Sequence, residues 1–276
     1  MSLLILPGLE HSEDDFSLSP AIIESLWRME ERHFWHAARN EWIRAVLERH
    51  GAFAPAQVLE VGCGSGAVSC YLQRLGYQVT GVDTAERLVR KAASRCPAAT
   101  FVAGDVARLP AQCRGPYPVI GFFDVLEHLA APEKLLESAL RFAAPNALVV
   151  ATVPALRRLH SVVDDLSGHK RRYETGELAR LLSSAGAVNV SEYGIFRLLL
   201  PQLRRHRTAS EANLRAGSDA ATRVMLDNLR IPPAPVNSLL RGICTLERLA
   251  GLDHARNRPG ATLIAAGRLR SAGTNQ

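Results

Sequence analysis

Apolar residues along this chain fall into short blocks, each ended by glycine, proline or an acid. Val58, Leu59 and Val61 form one such block, and it breaks into Gly62-Cys63-Gly64-Ser65-Gly66. A run without polar alternation suits a parallel strand covered on both faces. A helix is predicted from Ala67, with Gly76 as its stop. The pattern then repeats. Val79-Thr80-Gly81-Val82 ends in Asp83, and an amphipathic helix over 85–95 is ended by Pro97. A strand over 100–103 leads to Gly104-Asp105, and another is expected over 119–123. Pro132 starts a helix through 143, and 147–153 is an apolar strand closed by Pro154. A helix over 175–185 stops at Gly186, with strands at 187–196 and 261–268. Alternating strands and helices predict an α/β fold with right-handed crossovers and ligands at the carboxyl ends of the strands.

The flanks differ from this core. Residues 1–18 read as a mobile arm, and Ser19-Pro20 as a helix start. Ile22, Ile23, Leu26, Trp27 and Met29 give that helix an apolar side until His33-Phe34-Trp35-His36 interrupts it. A second helix over 37–50 carries Trp42, Ile43, Val46 and Leu47 on one side. Between the last two strands lies an insertion with predicted helices at 198–203, 214–229 and 236–250. In the last of these Val236, Leu239, Leu240, Ile243, Leu246 and Leu249 share one face. The division expected is 1–54 arm and helical lid, 55–196 core, 197–260 helical insertion, and 261–276 last strand and tail.

The chemistry concentrates at the strand ends. Glycines let the backbone turn sharply and let a ligand approach it. The following helix points its N–H groups at that ligand. Asp83 sits at the tip of the second strand, where a ribose diol is held. Gly62-x-Gly64-x-x-Ala67 also satisfies a loose dinucleotide pattern. Glu60 before the turn, the third glycine Gly66, and Gly104-Asp105-Val106 favour another ligand. With Asp124-Val125-Leu126-Glu127-His128-Leu129 and the strand before Pro154, these motifs make residues 55–195 resemble the class I S-adenosylmethionine (SAM) methyltransferases.

That resemblance implies a Rossmann-like, seven-stranded, doubly wound sheet, mostly parallel with an antiparallel last strand. It implies SAM as cofactor, held by Glu60, Gly62, Cys63, Gly64 and Gly66, with Asp83 on the ribose, Asp105 and Val106 on the adenine side, and Asp124 nearby. Many relatives of this type carry a segment similar to His33-Phe34-Trp35-x-x-x-Arg39 that caps the pocket. Trp35 would meet the adenine or the sulfonium, and Arg39 the methionine carboxylate. Gly168-His169-x-Arg171-x-Tyr173 matches another family run, in a long polar loop over 155–173. His169 is the first candidate for general base, Tyr173 supplies a hydroxyl, and His128 is a third catalytic candidate. Glu127 reads as a residue that orients the cofactor or starts a helix.

Composition narrows the reading. The 276 residues are 47% hydrophobic and 22% charged, as in soluble globular proteins, and no apolar run reaches membrane-span length. A cytoplasmic location is expected. The five cysteines show no paired spacing and read as reduced thiols. The net charge of +6 reads as a solvated basic face, so nucleic acid is not an expected partner, and stable membrane insertion is not expected. His33 and His36 are spaced for a metal, but no carboxylate or thiolate joins them, so none is expected. The leading expectation is a methyltransferase acting on a small molecule, as monomer or homodimer. A SAM cyclase that forms azetidine-2-carboxylate and releases methylthioadenosine is the alternative on the same fold. A nicotinamide dehydrogenase and a non-catalytic SAM-binding module stand behind it.

Overall fold

The computed structural model describes residues 3–7, 20–214, 224 and 226–270. Eight strands make one sheet. They are β1 (Leu3–Ile5), β2 (Gln57–Val61), β3 (Gln78–Asp83), β4 (Thr100–Ala103), β5 (Tyr117–Phe123), β6 (Ala143–Pro154), β7 (Ala187–Ile195) and β8 (Thr262–Leu269). Their order is β1-β4-β3-β2-β5-β6-β8-β7. All neighbours are parallel except β8, which runs antiparallel to both β6 and β7. From β2 the chain winds outward through β3 and β4, then returns to β5 on the other side. The switch point therefore opens between the carboxyl ends of β2 and β5, where such sheets bind ligands.

Alternate residues of each strand enter different cores, as a pleated strand requires. Val58, Val119, Leu148 and Ile264 are buried on one face with Trp42, Ile43 and Leu72. Leu59, Ile120, Val149 and Leu263 are buried on the other with Leu126, Leu136 and Leu178. The helices that cover these faces are α1 (Pro20–Arg32), α2 (Phe34–Arg49), α3 (Ala67–Arg74), α4 (Glu86–Arg95), α5 (Pro132–Leu140), α6 (Val162–Leu166), α7 (Glu177–Ser184), α8 (Leu200–Leu214), α9 (Ala234–Leu249) and α10 (Leu252–Ala255).

Five expectations needed correction. The sheet has eight strands and not seven, because Leu3–Ile5, read as part of a mobile arm, pairs with β4 at the sheet edge. Residues 1, 2 and 8–19 lie outside the described residues. The first two helices break at His33 alone, and Phe34 already begins α2. His33 accepts from Trp35 N–H through Nδ1 at 3.1 Å, so the aromatic run opens a helix instead of separating two. The helix after Pro132 ends at Leu140 because Ala143 already pairs with Tyr117. The helix expected at 198–203 runs on through Leu214. Much of the one expected at 214–229 lies outside the described residues.

Helix α9 holds the last correction. Its six apolar residues share a face, yet Leu240 alone of them is buried, with Cys244 one turn on. Val236, Leu239, Leu246 and Leu249 are exposed. Polar bonds orient the helix. Asn237 accepts from Phe34 N–H at 2.9 Å and donates to the Arg32 carbonyl at 2.8 Å, joining α9 to the α1–α2 break. Glu247 accepts from Arg197 and Leu198 N–H groups at 3.0 and 3.2 Å. The line Asn237, Leu240, Cys244, Glu247 therefore faces inward. Asn237→Ala should lower stability by about 1–3 kcal/mol through two lost partners, read by urea unfolding. Leu239→Ser on the outer face should stay within about 0.5 kcal/mol of wild type. Equal losses would show that α9 is seated on its leucines.

Candidate active site

The glycine turn fills the switch point. Gly62, Gly64 and Gly66 adopt φ of 75°, 52° and 79°, a region that L side chains avoid. Gly62 and Cys63 N–H groups both donate to the Val82 carbonyl at 2.8 and 3.1 Å, which ties the turn to β3. A Cβ at Gly62 would collide with Val125, and one at Gly66 would lie 2.7 Å from Ala92 Cβ. At Gly64 it would meet nothing within 4 Å. Two glycines are thus required by packing, and the third borders open space. Asp83 accepts from Gly64 N–H at 2.9 Å and Ala85 N–H at 2.8 Å. Burial raises its pKa, against the pull of these N–H groups.

The other residues expected on the cofactor take varied positions. Glu60 lies behind the turn, fully buried and hydrogen-bonded by Ser69 Oγ. Burial pushes its pKa up to about 8. Cys63 is buried, so its backbone faces the turn's work and its thiol is raised by burial. Asp105 is exposed and accepts from Ala107 N–H at 2.9 Å, while Val106 is buried beside it.

Helices α1 and α2 lie over the turn. Glu30 pairs with Arg95 at 3.0 Å and bonds the Ser65 hydroxyl, which fastens α1 to the glycine turn itself. Lys91 sits over the Trp27 ring at 4.3 Å. Trp35 stacks on Phe196 with centroids 3.9 Å apart, so one face of its indole is covered. Arg39 is buried and ion-paired with Asp124. Trp27 Nε1, His36 Nδ1 and Arg39 Nε are buried without a partner among the described residues. A nucleoside bearing an amino acid fits this set: a carboxylate at a strand tip, a guanidinium with an N–H unused among the described residues, and space over Gly64.

The opposite edge begins at Asp124, whose φ of 54° bends the chain sharply out of β5. Thr152 holds that bend, accepting from Asp124 N–H at its carbonyl and donating Oγ1 to Oδ1 at 2.7 Å. The bend delivers Glu127 and His128 beneath the 155–173 loop. His169 from that loop meets His128 edge to face at 4.9 Å. Asp164, fully buried, accepts from His169 Nδ1 at 2.9 Å, from Arg172 at 2.8 Å and from Arg207 at 2.7 Å. These partners hold its carboxyl far below the usual range despite burial. Tyr173 is buried and donates its hydroxyl to the Leu126 carbonyl at 3.3 Å. It braces the loop and does not present its hydroxyl to the open edge, contrary to the role expected of it.

A family model described as a methyltransferase domain matches residues 34–192, more than half of the chain. The chain belongs to this family. The methyltransferase-domain match covers the α2 lid, the glycine turn, both histidines and Tyr173, so both edges of the site lie inside it. The ubiquinone biosynthesis O-methyltransferase of Caulobacter sp. (strain K31) is 32% identical over 134 residues, 44% of this chain and 53% of that protein. The mitochondrial enzyme of the same name from Schizosaccharomyces pombe is 30% identical over 131 residues, 44% of this chain and 46% of that one. The chain thus spans about half the length of the curated relatives it matches. Haemonchus contortus phosphoethanolamine N-methyltransferase 2, solved with S-adenosyl-L-methionine, aligns at a TM-score of 0.59 and 14% identity over 94% of this chain and 59% of that one. This likeness is one of fold.

Four residues at these edges were not singled out as site residues by the sequence. Phe196 sits at a strand end and gave no signal. Glu127 read as a residue that orients the cofactor or starts a helix; it is 1% exposed, and its Oε2 has no partner among the described residues. Asp164 lies five residues before His169, a spacing that could have flagged it. Arg207, read within an exposed basic run, points inward to Asp164 while Arg204 and Arg205 are exposed.

Glu60 generates a pH prediction. Its folded pKa is raised from 4.5 to about 8, so its contribution to stability is full below the unfolded value and is lost as pH rises through the folded one. Wild type should therefore lose stability from about pH 5 to about pH 9 relative to Glu60→Gln, at up to ~1.4 kcal/mol per pH unit. Thermal melts across that range check it, and parallel curves for the two proteins would refute it.

Proposed function

We propose that this chain is a SAM-dependent methyltransferase that methylates an oxygen of a small-molecule acceptor. The observation that carries the reading is the pairing of two edges across one switch point. A glycine turn with Asp83 stands on one side, and the Asp164–His169–His128 series stands on the other. The O-methyltransferase names of the relatives support oxygen as the atom methylated.

When bound, SAM supplies a methyl group on a positively charged sulfur. The chain's own residues bind, align and handle the proton. Asp83 receives the ribose hydroxyls, and Asp105 and Val106 border the adenine. Gly62, Cys63, Gly64 and Gly66 bring backbone close to the ligand, with Glu60 behind them. Arg39 and Asp124 face the amino-acid end, and Trp35 closes the lid. Alignment of this kind supplies much of the rate in a two-substrate transfer. His169 has its Nδ1 on Asp164, which fixes the ring and leaves Nε2 to accept the hydroxyl proton of the acceptor. His128 lines the same edge. Among the described residues no helix is long and apolar enough to cross a membrane. A small acceptor, no nucleic acid, and a monomeric or homodimeric state complete the proposal.

Asp83→Ala should weaken SAM by ~1.5–3 kcal/mol for each lost bond to the carboxylate. Gly64→Ala should fold yet bind SAM poorly, since its methyl enters the space beside the turn. Calorimetry that finds SAM affinity unchanged in both would sink the cofactor placement. His169→Ala should lower kcat by about 10²–10⁴ with little change in KM for SAM. Tyr173→Phe should instead cost about 1 kcal/mol of stability and leave kcat near wild type. With an acceptor present the nucleoside product should be S-adenosylhomocysteine. Methylthioadenosine formed at a catalytic rate from SAM alone would establish the cyclase instead.

A further inference from the structure

Glu127 is 1% exposed, and its Oε2 has no hydrogen-bond partner among the described residues. A buried carboxylate oxygen in that state is costly unless something binds it. His128 and His169 stand beside it. One ligand atom from each of these three residues lies within 4.8 Å of the others. The two rings are oriented from behind. His169 Nδ1 is held by Asp164 Oδ1 at 2.9 Å. His128 is hydrogen-bonded to the backbone of Gly168, with Nδ1 on that side. With Nδ1 engaged in each ring, Nε2 is the nitrogen left with a lone pair. An imidazole whose far nitrogen is bound to a carboxylate or carbonyl is the usual form of a metal-ligating histidine.

We infer that Glu127, His128 and His169 form a divalent transition-metal site, with coordination positions left open toward the acceptor. Two imidazoles and one carboxylate suit zinc, manganese, iron(II) or cobalt better than magnesium or calcium. Three protein ligands with open positions mark a catalytic site and not a structural one. Ligand bonds of ~2.0–2.2 Å require the three atoms to close in. Behind the site the two guanidinium groups of Arg172 and Arg207 outweigh the single Asp164 carboxylate, so Glu127 is the group that supplies negative charge to a cation.

The inference rests on the methyltransferase reading only for its chemistry. A cation here would bind the acceptor oxygen and make its hydroxyl more acidic. The proton passes to solvent water, the oxygen lone pair forms the C–O bond, and the C–S bond breaks with its pair staying on sulfur. His169 Nε2 cannot be both ligand and proton acceptor, so a bound cation replaces the free imidazole in that role.

The test uses the full chain after chelator treatment, titrated with Co²⁺ and followed by its visible absorption. One Co²⁺ per chain is expected, with absorption typical of nitrogen ligation. His169→Ala, His128→Asn and Glu127→Gln should each weaken it by at least about 10-fold, the smaller loss seen even when a residue behind a ligand is removed. His160→Ala, an exposed histidine of the same loop, should bind as wild type does. Melting curves identify any variant that fails to fold, and the partly exposed His128→Asn and His169→Ala remain decisive. No stoichiometric uptake, or uptake unaltered by these variants, overturns the site. SAM calorimetry separates the two readings. A chain that takes up Co²⁺ here but does not bind SAM keeps the metal site and loses the methyltransferase. Full-rate methyl transfer after chelation, with no Co²⁺ uptake, does the reverse.

Discussion

A single buried carboxylate organises the 155–173 loop and the elements packed on it. Asp164 has no exposed surface and faces two guanidinium groups, an imidazole and the N–H of Ser161. Each partner comes from a different place. Arg172 also donates to the Ala155 carbonyl beside the end of β6 at 2.9 Å, and Arg207 comes from α8 in the insertion. Removing the carboxylate would leave two buried cations without a counter-charge, and breaking such sets costs about 3–5 kcal/mol. The cluster explains why a loop of this length can hold a histidine in one orientation. It also explains why α8 belongs to the site although it lies far along the chain.

The cofactor side depends on backbone and not on charge. Left-handed glycines at 62, 64 and 66 turn β2 into α3, and left-handed Asp124 turns β5 toward the histidines. A non-glycine residue in that region carries strain, which persists only where neighbours over-determine it. Thr152 and Arg39 supply that restraint at Asp124. Arg39 also belongs to α2, so the ion pair joins that helix to the end of β5.

The insertion illustrates how polar anchors override apolar pattern. Six apolar positions on α9 favour burial of one face, yet Asn237 satisfies backbone groups at the α1–α2 break and Glu247 those between β7 and α8. Unpaired buried backbone groups cost more than a few exposed methyl groups gain. The helix rotates accordingly, and its outer leucines face solvent.

Much of the fold was legible in the residues alone. Local rules determined it: apolar runs without alternation made β2, β5 and β6 central strands, glycines ended helices, and Asp83 appeared at a strand tip because the crossover repeats there. The glycine turn and the Gly168-His169 run could be recognised because their roles depend on neighbours in sequence. The Glu127–His128–His169 group, the inward turn of Arg207, the brace made by Tyr173 and the stacking of Trp35 on Phe196 could not. Each brings together residues that are distant in the chain, and only the packed sheet sets their separation and burial. Leu3–Ile5 follows the same logic: three residues form a strand only when the edge of β4 is there to pair with them. Sequence determined which elements form and which ends they expose; tertiary structure decided which side chains meet there, because charge compensation and backbone satisfaction are settled between elements and not within them.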